Sequence, residues 1–176
     1  MQPVTLSTPE ADMAGDLPAG ASLRGWLDHL QRQQRLAMIR PGVDLRFGVA
    51  AIANRLDGKS ASLFPQPGGH SIAVVSGLLS DRQWMAEAMG VESAEVLARF
   101  EAASLNPLPW REVSDAVCQQ VVHREIDLNR LLPIPTHNEH DSGPYITAGP
   151  LITRNPRTRV QNVSIHRLQV SSPNRL

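Results

Sequence analysis

The chain has 176 residues, enough for one domain and part of a second, and a compact chain of this length buries roughly 70% of its unfolded surface without needing disulfides or metal. Lysine plus arginine and aspartate plus glutamate both total 17, for a formal net charge of +0, so bulk charge gives no footing for nucleic acid or an anionic membrane. A single cysteine excludes an internal disulfide and a thiolate metal finger, and no apolar run approaches the roughly eighteen residues of a membrane span, so a cytoplasmic protein is expected.

The opening MQPVTLSTPEADMAGDLPAG is polar and rich in Pro, Gly and Ala, with no basic start and no apolar stretch, and reads as a disordered lead-in over 1–20. From Ser22, Leu23, Trp26, Leu27 and Leu30 recur at helical spacing, which predicts an amphipathic helix with Ser22 as its N-cap. LAMI (Leu36 to Ile39) before Pro41 predicts a strand, and a second helix is expected from about Leu45 to Leu56, stopped by Asp57-Gly58. SLF and SIAVV (Ser71 to Val75) have the length and β-branched content of buried strands, separated by a turn at Gly68-Gly69.

Ser80 and Gln83 stand at capping-box spacing before DRQWMAEAM, and Gly90 is placed to end that helix. A further helix, SAEVLARFEAA, stops before NPLP. Strands interleaved with helices make residues 21–112 an expected α/β domain, with a boundary near Pro107 to Ser114.

Beyond it the character changes. Short β-rich runs, repeated prolines and turn dipeptides such as Asn155-Pro156 predict an antiparallel β architecture over 113–176, with room for about four short strands. The last strand lies six residues from the final Leu176, so either a longer polypeptide or a poorly ordered last region is expected. Cys118, in DAVCQQVV, has no activating neighbours and reads as a buried structural thiol.

Two stretches hold groups able to do chemistry. HNEHDSGPY gathers His137, Glu139, His140 and Asp141, donors that suit zinc, manganese or iron. The spacing is not that of a zinc-protease helix, and a solvated loop turning at Asp141-Ser142 before Gly143-Pro144 is the favoured reading over metal-dependent hydrolysis. QNVSIHRLQV alternates as a strand does. Asn162, Ser164 and His166 share one face, and Val163, Ile165, Arg167 and Gln169 share the other. An edge strand with one wet face explains most of this, but an arginine among aliphatics asks for an anionic or planar partner.

Taken together, DLNRLLPIPTHNEHDSGPYIT, RNP and QNVSIHRLQ resemble the UbiD-type family of prenylated-FMN-dependent carboxy-lyases, and SLRGWLDHLQRQQRLAMIRPGVD and AEAMGV resemble that family's opening elements. The most specific piece is NVSIHRLQ, set against a family pattern of Asn, any residue, Ser or Gly, Ile, any residue, Arg. The resemblance implies an α/β N-terminal domain followed by the beginning of an antiparallel split-β-barrel flavin-binding domain. It implies non-oxidative, reversible decarboxylation of an aromatic or α,β-unsaturated carboxylic acid, a cofactor made by a flavin prenyltransferase, and self-association.

Residue by residue, the resemblance makes Asn162 a ligand to manganese or magnesium, with potassium also a candidate ion. It places Ser164, Ile165, His166 and Arg167 at the prenylated flavin, and it gives Arg167 the catalytic role of pairing with the substrate carboxylate. The family's other metal ligands and its catalytic carboxylate belong to later segments, and His137 and His140 precede Asn162, so they do not substitute. The 176-residue chain alone is therefore expected neither to hold the cofactor tightly nor to decarboxylate; the alternative is a non-catalytic fragment that associates with a complete homologue. Five residues of strand, roughly 16 Å, separate Asn162 from Arg167, and the odd spacing sets them on opposite faces, so a bulge, strong twist or bend is expected between them.

Overall fold

The structure, a computed structural model, describes residues 18–107 and 113–176. In chain order these form α1 (Leu23–Arg32), β1 (Leu36–Met38), α2 (Gly48–Leu56), β2 (Ala61–Phe64), β3 (Val74–Ser76), α3 (Arg82–Met89), α4 (Val96–Leu105), α5 (Leu128–Leu131), β4 (Tyr145–Arg154) and β5 (Gln161–Gln169). One-turn 3-10 helices lie at Ala19–Ala21, Pro67–Gly69, Ser93–Glu95 and Val117–Gln119. The expected disordered lead-in falls outside the described residues up to position 17, and its end is structured, because Ala19–Ala21 forms the first of those turns. The chain makes two compact units: the segment ending at Gln34 joins Asp81–Pro107, and Arg35–Ser80 joins the segment ending at Leu176.

In the first unit, Ser22 caps α1 as expected, its hydroxyl accepting from the Gly25 N–H at 3.0 Å. Trp26 and Leu30 are buried, whereas Leu23 is exposed, so the apolar stripe is one turn shorter than its spacing suggested. Trp84 and Ala86 of α3 are buried as well. The Trp26 and His29 rings stack at 5.1 Å, and His29 Nε2 lies 3.1 Å from Glu87 Oε2, tying α1 to α3.

The N-cap of α3 is Asp81 and not Ser80: the Asp81 carboxylate accepts from the Gln83 N–H at 2.6 Å, and the Ser80 hydroxyl donates backwards to the Gly77 carbonyl. Gly90 ends α3 in the left-handed region, as the sequence predicted. At Gly20 the constraint is space, since a Cβ there would sit 2.2 Å from the Ala88 carbonyl oxygen.

In the second unit β2 is the middle strand of three, parallel to β1 and antiparallel to β3. Ala61, Ser62 and Phe64 are buried, and α2 supplies the crossover that a parallel pair requires, burying Val49. β2 runs only to Phe64, before Pro65, so β3 pairs from Val74 and does not extend back to Ser71. α2 begins at Gly48, later than expected, because the backbone before it is committed elsewhere. The Phe47 N–H donates to the Thr136 carbonyl at 2.9 Å, and the Thr136 N–H donates to the Leu45 carbonyl at 3.0 Å.

The same unit carries the antiparallel hairpin of β4 and β5, turned at Asn155, whose side-chain oxygen accepts from the Arg157 and Thr158 N–H groups. Leu128, Ile134 and Val170 form a small core under its base, with Ile126, Leu132 and Ile146 packed against it. Two expectations are corrected here. Among the described residues 113–176 hold two strands and not four, because Val117–Gln119 and Leu128–Leu131 turn as helices. Cys118 is exposed on the first of these turns and so is not a core thiol.

Candidate functional site

HNEHDSGPY folds as the polar loop before β4. Asn138 and Asp141 lock it from both ends: the Asp141 N–H donates to the Asn138 carbonyl, and Asp141 Oδ2 accepts from the Asn138 N–H at 3.1 Å. Asn138 Oδ1 accepts from the His140 N–H at 2.9 Å. His140 and Glu139 meet at 3.6 Å out in solvent. Among the described residues no three His, Cys, Asp or Glu side chains converge as a metal would require.

Locking the loop leaves the other oxygen of Asp141 free to face β5. Asp141 Oδ1 lies 3.9 Å from Arg167 Nη1, a charge contact longer than a hydrogen bond, and the Asp141 side chain is largely shielded. The Arg167 guanidinium carbon sits 4.5 Å from the centroid of the Tyr145 ring. Strand register explains this. Tyr145 pairs with Gln169, so its ring shares a face with Gln169 and, two residues earlier, with Arg167. The arginine therefore has both the anionic and the planar partner that its apolar neighbours called for.

The hydroxyl end of Tyr145 is held by a closed ring of three hydrogen bonds. Tyr145 Oη donates to Gln169 Oε1 at 3.1 Å, Gln169 Nε2 donates to Ser142 Oγ at 2.7 Å, and Ser142 Oγ returns to Tyr145 Oη at 3.2 Å. Each member donates once and accepts once within the ring, and the second N–H of Gln169 Nε2 lies outside it. Tyr145 also lines a largely apolar cavity of about 290 Å³ with Ile72, Val74, Ile134 and His137.

The remaining residues singled out on β5 divide by face. Ser164 and His166 stand together, His166 Nε2 lying 3.0 Å from Ser164 Oγ, and Asn162 is exposed on the same face, opposite Thr153. Ile165 is 78% exposed on the Arg167 face, beside Val163 and Ile152. Register is continuous from Gln161 to His166, and the irregularity comes at the next step, in the partner strand: pairing jumps from Gly149–His166 to Ile146–Leu168, leaving Thr147 and Ala148 opposite Arg167 alone. The distortion expected within β5 between Asn162 and Arg167 thus lies on β4, and those two side chains occupy opposite faces.

Tyr145, Gln169 and Ser142 were not assigned a site role from sequence, and Asp141 was weighed only as a metal donor. Their signal was present in the D-x-G-x-Y spacing and in the shared parity of Arg167 and Gln169, but the loop's approach to β5 is non-local.

Comparison with known proteins matches two successive stretches of the chain. Residues 27–104 match the 3-octaprenyl-4-hydroxybenzoate carboxy-lyase N-terminal domain, and residues 111–176 match the Rift-related domain of the same carboxy-lyase. An uncharacterised protein in the cooM 5'region of Rhodospirillum rubrum is 34% identical over 175 residues, covering 95% of this chain and 37% of that protein. The anhydromevalonate phosphate decarboxylase of Methanothermobacter thermautotrophicus is 38% identical over 105 residues, covering 60% of this chain and 24% of its own.

Among solved structures, the UbiD-class enzyme HmfF of Pelotomaculum thermopropionicum, in an evolved dimeric form with prenylated FMN, superposes with a TM-score of 0.82 at 44% identity over 86% of this chain and 36% of HmfF. The apo 3,4-dihydroxybenzoic acid decarboxylase of Enterobacter cloacae shares the fold, with a TM-score of 0.76 at 24% identity over 86% of this chain and 35% of that enzyme. The chain spans little more than a third of the length of HmfF or of the Rhodospirillum relative. With both carboxy-lyase modules matched in order and the fold shared over 86% of the chain, the chain belongs to the UbiD family, corresponding to its N-terminal portion.

Proposed function

We propose that the whole protein is a non-oxidative carboxy-lyase acting on an aromatic or α,β-unsaturated carboxylic acid with prenylated FMN, and that β5 lies along the flavin as one wall of a split β-barrel. The observation that carries this reading is the Arg167 face of β5. A guanidinium held against a tyrosine ring stands at one end of an exposed apolar strip of Ile165, Val163 and Ile152. Such a strip suits a flat apolar ring, and the guanidinium suits a carboxylate. The residues present therefore fit the flavin. When bound, prenylated FMN supplies an electron sink for the carbon that loses carbon dioxide.

Of this chain's own residues, Arg167 would bind and orient the carboxylate and Ile165 would contact the cofactor from the same face, while Ser164 and His166, whose side chains point to the other face, would contact it through their backbone. The fit to a metal is incomplete. Asn162 offers one hard amide oxygen, suited to manganese or magnesium, but no convergent acidic or imidazole partners lie among the described residues, and no step is drawn through the ion. We further propose a module boundary near Pro107 to Ser114, cytoplasmic residence, self-association, and supply of the cofactor by a flavin prenyltransferase.

The test is a chimera in which this chain replaces the matching N-terminal part of HmfF. The chimera should bind prenylated FMN and turn over the acid that HmfF accepts. Arg167→Ala should abolish turnover with the flavin still bound, and Asn162→Ala should weaken manganese-dependent flavin retention. The 176-residue chain alone, mixed with prenylated FMN, Mn2+ and the same acid, should release no carbon dioxide. A folded chimera that binds flavin but is indifferent to Arg167→Ala would refute the assignment. An inactive folded chimera would favour the second reading, a non-catalytic fragment that associates with a complete homologue.

A further inference from the structure

We infer that Tyr145 and Asp141 are positioning residues that seat the Arg167 guanidinium before any ligand arrives, with Ser142 and Gln169 holding Tyr145 in place. The inference rests on the carboxylate-binding role proposed for Arg167.

An arginine on the surface of a strand ordinarily samples many rotamers, and the Arg167 side chain is 63% exposed. Two contacts restrict it. The Tyr145 ring, 4.5 Å below the guanidinium carbon, fixes the plane on which the planar cation lies. Asp141 Oδ1, 3.9 Å from Nη1, attracts one edge of it. Neither partner is loose. Asp141 is oriented by accepting the Asn138 N–H through Oδ2, which leaves only Oδ1 for the arginine. Tyr145 is held at its hydroxyl by Gln169 and Ser142 and at its backbone by the register with Gln169.

The bulge completes the arrangement. Two β4 residues, Thr147 and Ala148, oppose Arg167, so no single cross-strand neighbour competes for its position. The device follows from chemistry: a ring face and a carboxylate held 3.9 Å away restrain a cation without fully satisfying its five N–H donors. The donors left over are available to an incoming carboxylate.

The experiment follows the Arg167 Nε–H resonance by NMR in the isotopically labelled 176-residue chain, with sodium benzoate as the carboxylate probe. In the unsubstituted chain the resonance should be shifted upfield by the Tyr145 ring and show restricted motion. Tyr145→Leu should return it to the position of a free arginine. Tyr145→Phe should keep the upfield shift but raise the mobility, since the ring stays and its hydroxyl anchor goes. Asp141→Asn should also raise the mobility.

Benzoate should bind roughly two- to fivefold more weakly to Tyr145→Leu, the size expected when one exposed cation–ring contact is lost. If Tyr145→Leu does not fold, Tyr145→Phe and Gln169→Leu decide on mobility. An Arg167 resonance unchanged in both position and mobility in all of these folded variants would overturn the positioning role, whatever benzoate does. If instead the variants behave as expected but benzoate leaves Arg167 untouched, the seating stands and the carboxylate-binding reading of Arg167 falls.

Discussion

Gly149 shows how little room surrounds the candidate site. It pairs with His166, and a Cβ added to it would meet Leu168 Cδ1 at 2.9 Å and the His166 carbonyl oxygen at 3.0 Å. The side chain could give way and the carbonyl could not without disturbing the ladder. Gly149→Ala should therefore destabilise the chain by about 1–3 kcal/mol in urea unfolding, the usual cost of overpacking. An Ala variant as stable as the parent would mean that the β4 bulge adapts freely.

At this scale the sequence was a good guide to local chemistry. Ser22 and Gly90 do what their types predict, and β5 displays its polar residues on the faces that alternation assigns. The seat of Arg167 was not legible, because it depends on residues about twenty positions away reaching β5 through strand register and a loop.

Elements were legible in kind and shifted at their ends wherever a backbone group was engaged elsewhere. α2 starts at Gly48 because the residues before it bond to Thr136, a partner far along the chain. α3 starts at Arg82 because the Asp81 carboxylate outcompetes the Ser80 hydroxyl for the first free N–H groups, leaving Ser80 to bond back to Gly77. The two residues should differ sharply on substitution. Asp81→Ala should cost about 1 kcal/mol in thermal or urea unfolding, while Ser80→Ala, removing a hydrogen bond outside the helix, should cost less. Equal losses at the two positions would return the cap to Ser80. The missing strands of 113–176 have a similar cause, since β-branched content alone does not make a strand without a neighbour to pair with.

On the scale of the molecule, the α/β character and the antiparallel β hairpin were both readable from patterning, whereas the grouping into compact units was not. Arg35–Ser80 condenses with the segment ending at Leu176, across the boundary that composition suggested, and the Leu45–Thr136 pairing is one of the bonds responsible. Within that unit Phe64 is fully buried on the middle strand of the three-stranded sheet. Phe64→Ala should remove about 3–5 kcal/mol, a large part of a typical domain's total. Hydrogen exchange should then show lost protection in β1, β2 and β3 first. Loss confined to α1 and α3 would mean that Phe64 does not anchor this unit.

The hairpin described above also bears on how the chain behaves at high concentration. Among the described residues β4 and β5 form a sheet of two strands, so each offers an outer edge, and Ile152, Val160, Val163 and Ile165 lie exposed along it. Exposed apolar edges of this kind recruit further strands and seed aggregates. At its tip the hairpin carries Arg154, Arg157 and Arg159. Two copies meeting edge to edge in the antiparallel sense would bring each tip toward the other's base, while parallel stacking would crowd six guanidinium groups together. The arginines thus act as gatekeepers against in-register stacking, the arrangement from which fibrils grow.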